Sequence, residues 1–248
     1  MTPLADLHCH LLPGIDDGAK TIQDTRGLLE SSARQGIQEI VFTPHYYPER
    51  MDLNQFLKNR NRALQQIRPI AEELEIRFRV GAEIHFTPVL AELPLQALSY
   101  SGTRYLLLEL YSAYEPLDVL GLIERLHEKG YTPILAHIER YPYVNGHPEL
   151  LYQWVKAGAL AQMNAGWILN NRTARKQAEK YVRWNLVHVI ASDAHNAHTR
   201  PQNLADAYQR LSPEVSETLS QNAARIFAGE TPHFPEPKRP ERRFGHWI

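Results

Sequence analysis

The chain of 248 residues has a single cysteine, Cys9. An internal disulfide is excluded, which fits a reducing compartment. No apolar run approaches the roughly 20 residues that a membrane-crossing helix needs. The first apolar segment, from Leu4, is interrupted at Asp6. No signal peptide or membrane insertion is expected, and the protein reads as soluble and cytoplasmic. Excess charge of either sign is also missing: 27 Lys and Arg against 28 Asp and Glu leave a net charge of -1. Such a balance lacks the basic stripe of a nucleic-acid binder, so no nucleic-acid partner is expected. Neither GxGxxG nor GxxxxGK(S/T) follows any strand candidate, which weakens a nucleotide-binding sheet.

Histidine is what the chain does have: 12 of them, unevenly placed. Short β-rich runs at 4–8, 39–45, 76–83, 104–110, 132–137, 159–164 and 187–193 alternate with longer helical patterns. One helical stripe is read as Leu117, Leu120, Ile123 and Leu126, ended by Gly130. Another is Leu151, Trp154 and Val155, between Pro148 and Gly158. Seven strands alternating with helices predict an α/β fold of parallel βα units, a barrel or a doubly wound sheet. No composition break divides residues 1–230, and 231–248, rich in proline and charge, reads as a solvated tail.

Six of the seven strand ends carry a ligand-type residue. His8 ends the first with His10 just beyond; His45, Glu83, Glu109 and His137 stand at the next four; Asp193 ends the last, with His195 two residues on. In a (β/α) barrel these ends open onto one face, and that face carries the chemistry. Mixed imidazoles and carboxylates suit Zn, Mn or Fe better than Mg or Ca. Residues two apart on a strand point the same way, so His8 with His10, and Asp193 with His195, can share an ion. Asp17 brings the set to nine, enough for two or three ions. Each member alone has a plain structural alternative: a hydrogen-bonded core histidine, a charge at a helix N-terminus, or an Asp16–Asp17–Gly18 turn with a helix cap. Their coincidence at strand ends is what those alternatives leave unexplained.

The stretches "DLHCHLLPGIDDG" (6–18), "TPH", "GAE", "AHIERY" and "SDAH" resemble the polymerase-and-histidinol-phosphatase (PHP) superfamily. The opening is most similar to the bacterial capsule and exopolysaccharide tyrosine phosphatases of the CpsB/YwqE type, and the resemblance runs from Asp6 to about Gly229. It implies a single-domain, distorted (β/α)7 TIM-like barrel with three divalent ions, manganese first and iron or zinc as substitutes. Carried over by position, His8, His10, Glu83 and Asp193 would hold one ion. Glu83 would bridge to a second, held also by Glu109 and His137. Asp17, His45 and His195 would hold the third, and Arg140 and Arg200 match the phosphate-contacting arginines.

The implied activity is hydrolysis of phosphotyrosine in a protein, with a tyrosine kinase of polysaccharide export as the expected partner. Related alternatives are a phosphoesterase acting on histidinol phosphate, a PHP-type exonuclease, and a degenerate barrel that only binds. A cysteine mechanism fits poorly: position six after Cys9 is Ile15, where a cysteine phosphatase needs arginine. Asp16, His147 and His198 are read as surface residues first, and second as partners that hold the ligands or as acid groups. The tyrosine-rich loop "HYYPERMD" after His45 is individual to this chain.

Overall fold

The computed structural model describes residues 4–231, 233–243 and 246–247. Nine strands make the framework: β1 (Leu4–Cys9), β2 (Ile37–Phe42), β3 (His45–Tyr46), β4 (Arg77–Val80), β5 (Glu83–His85), β6 (Tyr105–Glu109), β7 (Thr132–Leu135), β8 (Leu160–Asn164) and β9 (Val189–Ala191). They fall into seven tracts, because β3 resumes β2 after Thr43-Pro44 and β5 resumes β4 after Gly81-Ala82. Across those breaks Gly81 N–H donates to Phe42 O at 2.9 Å and Glu83 N–H to Pro44 O at 3.0 Å.

Every pairing among these strands is parallel, in the orders β1-β2-β4 and β3-β5-β6-β7-β8-β9. The ring closes where Asp193 N–H donates to His8 O (2.9 Å) and His10 N–H to Ala194 O (2.8 Å). A seven-tract parallel barrel is thus what forms. Around it lie α1 (Ile22–Arg34), α2 (Leu53–Glu73), α3 (Leu95–Leu98), α4 (Val119–Glu128), α5 (Pro142–Asn145), α6 (Pro148–Lys156), α7 (Ala165–Asn170), α8 (Arg172–Arg183), α9 (Leu204–Arg210) and α10 (Pro213–Ala228).

Strand alternation divides the apolar side chains into two cores. Leu7, Val41, Leu107, Ile134, Leu160 and Val189 form the smaller one, with Ile226 and Phe227 of α10 packed against them. Ile40, Phe42, Leu106, Leu108, Leu135, Ala161 and Ile190, one residue out of phase, belong to the larger core with the helices. Both faces of each strand are therefore apolar below the chemistry-bearing ends, as parallel sheets require.

One reading of the sequence is corrected. The buried face of α4 is Val119, Leu122, Ile123 and Leu126, while Leu117 is 88% exposed. Steps of three residues turn 300°, so the stripe 117, 120, 123, 126 slides around the helix instead of staying on one side. The stop at Gly130, with φ of 76°, and the α6 face of Leu151, Trp154 and Val155 are as expected. The described residues of the C-terminal segment are mostly exposed and touch the body of the fold at a few points. The Phe234 ring stands edge-on to His188 at 5.0 Å, Asn185 Nδ2 donates to Glu236 O at 3.0 Å, and Lys238 N–H donates to Trp184 O at 2.8 Å. No described helix is long and apolar enough to cross a membrane.

Candidate metal centre

The strand ends bring all nine expected residues together. His8 Nε2 lies 3.3 Å from Glu83 Oε2 and 3.4 Å from Asp193 Oδ1; His10 Nε2 lies 3.2 and 3.5 Å from the same two atoms. His137 Nε2 is 2.8 Å from Glu83 Oε1 and 3.7 Å from Glu109 Oε1. Asp17 Oδ1 is 3.4 Å from His45 Nε2 and 3.3 Å from His195 Nε2. Three overlapping groups have ligand atoms within 4.8 Å of one another: His8, His10 and Asp193; His45, Glu83 and Glu109; His10, Asp17, His45 and His195. His45 belongs to two of them, because its Nδ1 faces Glu83 Oε2 at 2.9 Å while its Nε2 faces Asp17.

Local backbone irregularities aim several of these side chains. The β1 register shifts between Asp6 and Cys9. His137 and Asp193 take left-handed conformations, with φ of 32° and 53°, uncommon for residues other than glycine and concentrated at functional sites. The loop after His10 returns tightly: Ala19 N–H donates to His10 O at 3.0 Å, and a Cβ on Gly18 would fall 2.0 Å from that oxygen. Only glycine permits the approach that delivers Asp16 and Asp17.

The protonation pattern asks for cations. Gln162 Oε1 accepts from the His137 backbone N–H at 2.9 Å, which fixes that amide's orientation, and lies 3.0 Å from His8 Nδ1. The His8 proton therefore sits on Nδ1. Asp16 Oδ2 lies 2.8 Å from His10 Nδ1 and places that proton in the same way. Both Nε2 atoms then present lone pairs, 3.1 Å apart and facing two carboxylates. Glu83 Oε2, Asp193 Oδ1, His45 Nδ1 and His195 Nε2 are buried without a directed hydrogen bond. Electron-rich atoms converging in this way are stabilised by ions between them, and mixed N/O donors fit divalent transition metals. Burial, and then the neighbouring Glu83 carboxylate, push Glu109 up to about 7, another sign of uncompensated negative charge.

At the rim, Arg140 Nη2 and Arg200 Nη2 both donate to Asp193 Oδ2, at 2.5 and 2.6 Å. Arg200 Nη1 also lies 3.7 Å from Asp17 Oδ2. The two arginines expected to meet phosphate thus converge on one edge of the cluster. His147 and His198 are exposed and belong to none of the ligand groups. Asp16, read from sequence as a surface residue first, is half-buried with its side chain only 5% exposed, because His10 Nδ1 and the His45 and Gly18 N–H groups surround the carboxylate. Cys9 is fully buried with Sγ 3.5 Å from Val41 O, and burial holds its thiol well above the ordinary range. A thiolate nucleophile is absent from this arrangement.

Three polar residues were missed in the sequence. Gln162 holds His8; its Nε2 donates to Asn164 Oδ1 at 2.7 Å, and Asn164 Nδ2 donates to Asp193 Oδ2 at 2.8 Å. Such partners orient ligands and tune their basicity. Asp6 accepts from Ser192 Oγ at 2.5 Å and from Gln202 Nε2 at 2.8 Å, tying β1 to the segment after β9. The available signal was two polar residues at alternate positions in the otherwise apolar strand "ALAQMN".

A family model described as capsular polysaccharide synthesis, CpsB/CapC, matches residues 4–230. The chain is 32% identical to tyrosine-protein phosphatase YwqE of Bacillus subtilis, across 97% of each chain. It is 31% identical to tyrosine-protein phosphatase CpsB of Streptococcus pneumoniae, over 83% of this chain and 88% of the relative. A crystal structure from work on YwqE and CpsB, described as unique metal-dependent tyrosine phosphatases, superposes with a TM-score of 0.85 at 28% identity, covering 96% of this chain and 100% of that one. A phosphotriesterase homology protein from Escherichia coli, 11% identical, superposes with a TM-score of 0.58 over 91% of this chain and 99% of its own, a likeness of fold alone.

Proposed function

Because the chain belongs to the CpsB/CapC family of capsular polysaccharide synthesis, we propose that it is a metal-dependent protein-tyrosine phosphatase. The observation that carries this reading is the facing pair of His8 and His10 Nε2 atoms opposite Glu83 and Asp193, with two arginines converging on the outer oxygen of that same Asp193. We assign three divalent ions, manganese first. His8, His10, Glu83 and Asp193 would hold one, Glu83, Glu109 and His137 a second, and Asp17, His45 and His195 the third. The overlap of the ligand groups at His45 supports closely spaced ions sharing residues.

When bound, such ions supply Lewis acidity, lowering the pKa of water towards about 7 and drawing charge from phosphoryl oxygens. The chain's own part is to bind and orient. Arg140 and Arg200 carry planar donor forks that match phosphoryl oxygens and need not give up their charge to do so. Asp16 and Gln162 keep the protons of His10 and His8 on Nδ1, so that each Nε2 stays a donor of electrons to the centre. In the net reaction water adds at phosphorus, the bond from phosphorus to the phenolic oxygen breaks, and tyrosine and inorganic phosphate leave. A phenol, with a pKa of about 10, needs less proton assistance than an alkyl alcohol.

The protein partner in this reading is a tyrosine kinase of polysaccharide export, in the cytoplasm where ATP-dependent kinases make phosphotyrosine. Purified protein is assayed with Mn²⁺ and with chelator on a phosphotyrosine peptide, histidinol phosphate and a DNA oligonucleotide. Mn²⁺-dependent release of phosphate, fastest from the peptide, is expected. Faster turnover of histidinol phosphate or of the oligonucleotide overturns the substrate, and activity that survives chelation overturns the metal chemistry.

A further inference from the structure

Side chains two residues apart on a strand share a side, and three neighbouring strand ends use that repeat alike. Each carries a candidate ligand and then an aromatic ring: His45 and Tyr47, Glu83 and His85, Glu109 and Tyr111. At three other ends the second position is itself a candidate ligand or a carboxylate: His10 after His8, Glu139 after His137, His195 after Asp193. At β3, β5 and β6 the aromatic ring lies about 7 Å beyond that strand's own candidate ligand, with His85 paired level with Glu109 of the next strand.

The rings form a continuous series. Centroids are 5.4 Å apart for His45 and Tyr47, 5.2 Å for Tyr47 and His85, 4.9 Å for His85 and Tyr111, and 5.1 Å for Tyr111 and Tyr114. Tyr143 Oη donates to Tyr111 O at 2.6 Å and braces the outer end. Tyr47, His85 and Tyr111 are half-buried and Tyr114 is 60% exposed, so the arc opens from the metal centre to solvent. Tyr47 comes from the tyrosine-rich loop that the catalytic reading left unused.

A cavity of about 590 Å³ flanks Arg140 and Arg200 at the ends of β7, β8 and β9. It is the obvious rival place for a substrate's side chain, and its lining mixes Trp167, Leu169 and Pro201 with charged and amide groups. Glu139 Oε2, Trp167 Nε1 and Asn203 Oδ1 are buried there without hydrogen-bond partners, and a phenyl ring would satisfy none of them. The aromatic arc offers ring faces and edges instead, which an aryl group meets favourably.

We infer that the arc of Tyr47, His85 and Tyr111 is the surface that selects the leaving group: the tyrosyl ring of the substrate packs on Tyr47 and His85 while its phosphoryl group lies against Arg140 and Arg200. This rests on the phosphatase reading of the same site and extends it from the phosphate to the ring.

The test compares a phosphotyrosine peptide with inorganic phosphate, which occupies the phosphoryl site but has no ring, in the Mn²⁺-loaded enzyme. Tyr47→Ala and His85→Ala are expected to raise KM for the peptide about two- to tenfold, the reach of one aromatic contact. The inhibition constant of inorganic phosphate and the bound Mn²⁺ should stay within twofold of wild type, and Tyr47→Phe should keep the wild-type KM. Unchanged peptide KM in both alanine variants overturns the inference, as does a rise in KM confined to Trp167→Ala, which would put the ring in the cavity beside Arg140 and Arg200. Parallel weakening of peptide and phosphate overturns it too, since Tyr47 would then only support His45. Failure of the wild-type enzyme to hydrolyse the peptide, visible before any variant is made, overturns the phosphatase reading and the inference with it.

Discussion

Replacing Gln162 by methionine keeps the side chain's length and removes its amide. Three buried groups lose their partners: His8 Nδ1–H, the His137 N–H and Asn164 Oδ1. At about 1 kcal/mol each, the low end for unpaired buried groups, the folded state loses about 3 kcal/mol. In a chain of this size that is a fall of about 6–12 °C in Tm. The metal effect is separate. With no acceptor on its Nδ1, His8 is free to rotate and to place its proton on Nε2, and loss of such a partner typically weakens metal binding about 10–100-fold, or about 1.4–2.8 kcal/mol. Gln162→Glu is the control, since its carboxylate still accepts from both His8 and His137. Calorimetric titration of Mn²⁺ into apoprotein, with activity followed against free Mn²⁺, should show the tightest step weakened in Gln162→Met, near wild type in Gln162→Glu, and turnover largely recovered at saturating Mn²⁺. A folded Gln162→Met protein with wild-type Mn²⁺ affinity refutes the argument that Gln162 sets the His8 tautomer.

Chelation should abolish turnover and lower Tm, because an ion present at 100–1,000 times its Kd contributes about 2.7–4.1 kcal/mol to the folded state; identical melting curves with and without chelator would count against any structural ion. Burial pulls His188 down to about 3, against about 6.5 in an unfolded chain. The unfolded chain therefore takes up the proton first as pH falls, and stability is lost below pH 6.5, by roughly 2 kcal/mol at pH 5. His188→Asn, whose amide oxygen can still accept from the Ala161 N–H, should show a flatter pH dependence of denaturant midpoint than wild type, and an equal slope refutes it. Cys9→Ser should keep kcat within about threefold, its hydroxyl donating to Val41 O in place of the thiol; inactivity in a folded, Mn²⁺-loaded variant would restore the cysteine to the mechanism.

Strand parity explains how much of the centre could be read in advance. Val41, Leu107 and Val189 belong to the interior core, and counting by twos from them leads to His45, Glu109 and Asp193. The same count from Leu160 leads to Gln162 and Asn164, so their inward position was implied by a pattern whose polar members look like ordinary strand residues. Parity fails at His8 and His137. Leu7 and Ala136 are interior residues, yet the residue after each also turns inward, through the register shift in β1 and the left-handed backbone at His137. The surface reading of Asp16 fails because a loop aspartate has no periodicity to betray its covered carboxylate.

By itself the sequence determined the donor types, their places at strand ends and the parallel βα order, because these follow from residue identity and from periods of two or 3.6 residues within a single element. Tertiary structure decided which lone pairs face one another, which amide or carboxylate fixes each imidazole proton, and that two distant arginines meet on one oxygen of Asp193. It also decided that three aromatic residues from separate strands form one arc beside the ligands. Those relations depend on strand order, on register and on ring closure between residues as far apart as His8 and Asp193, and no local period carries them.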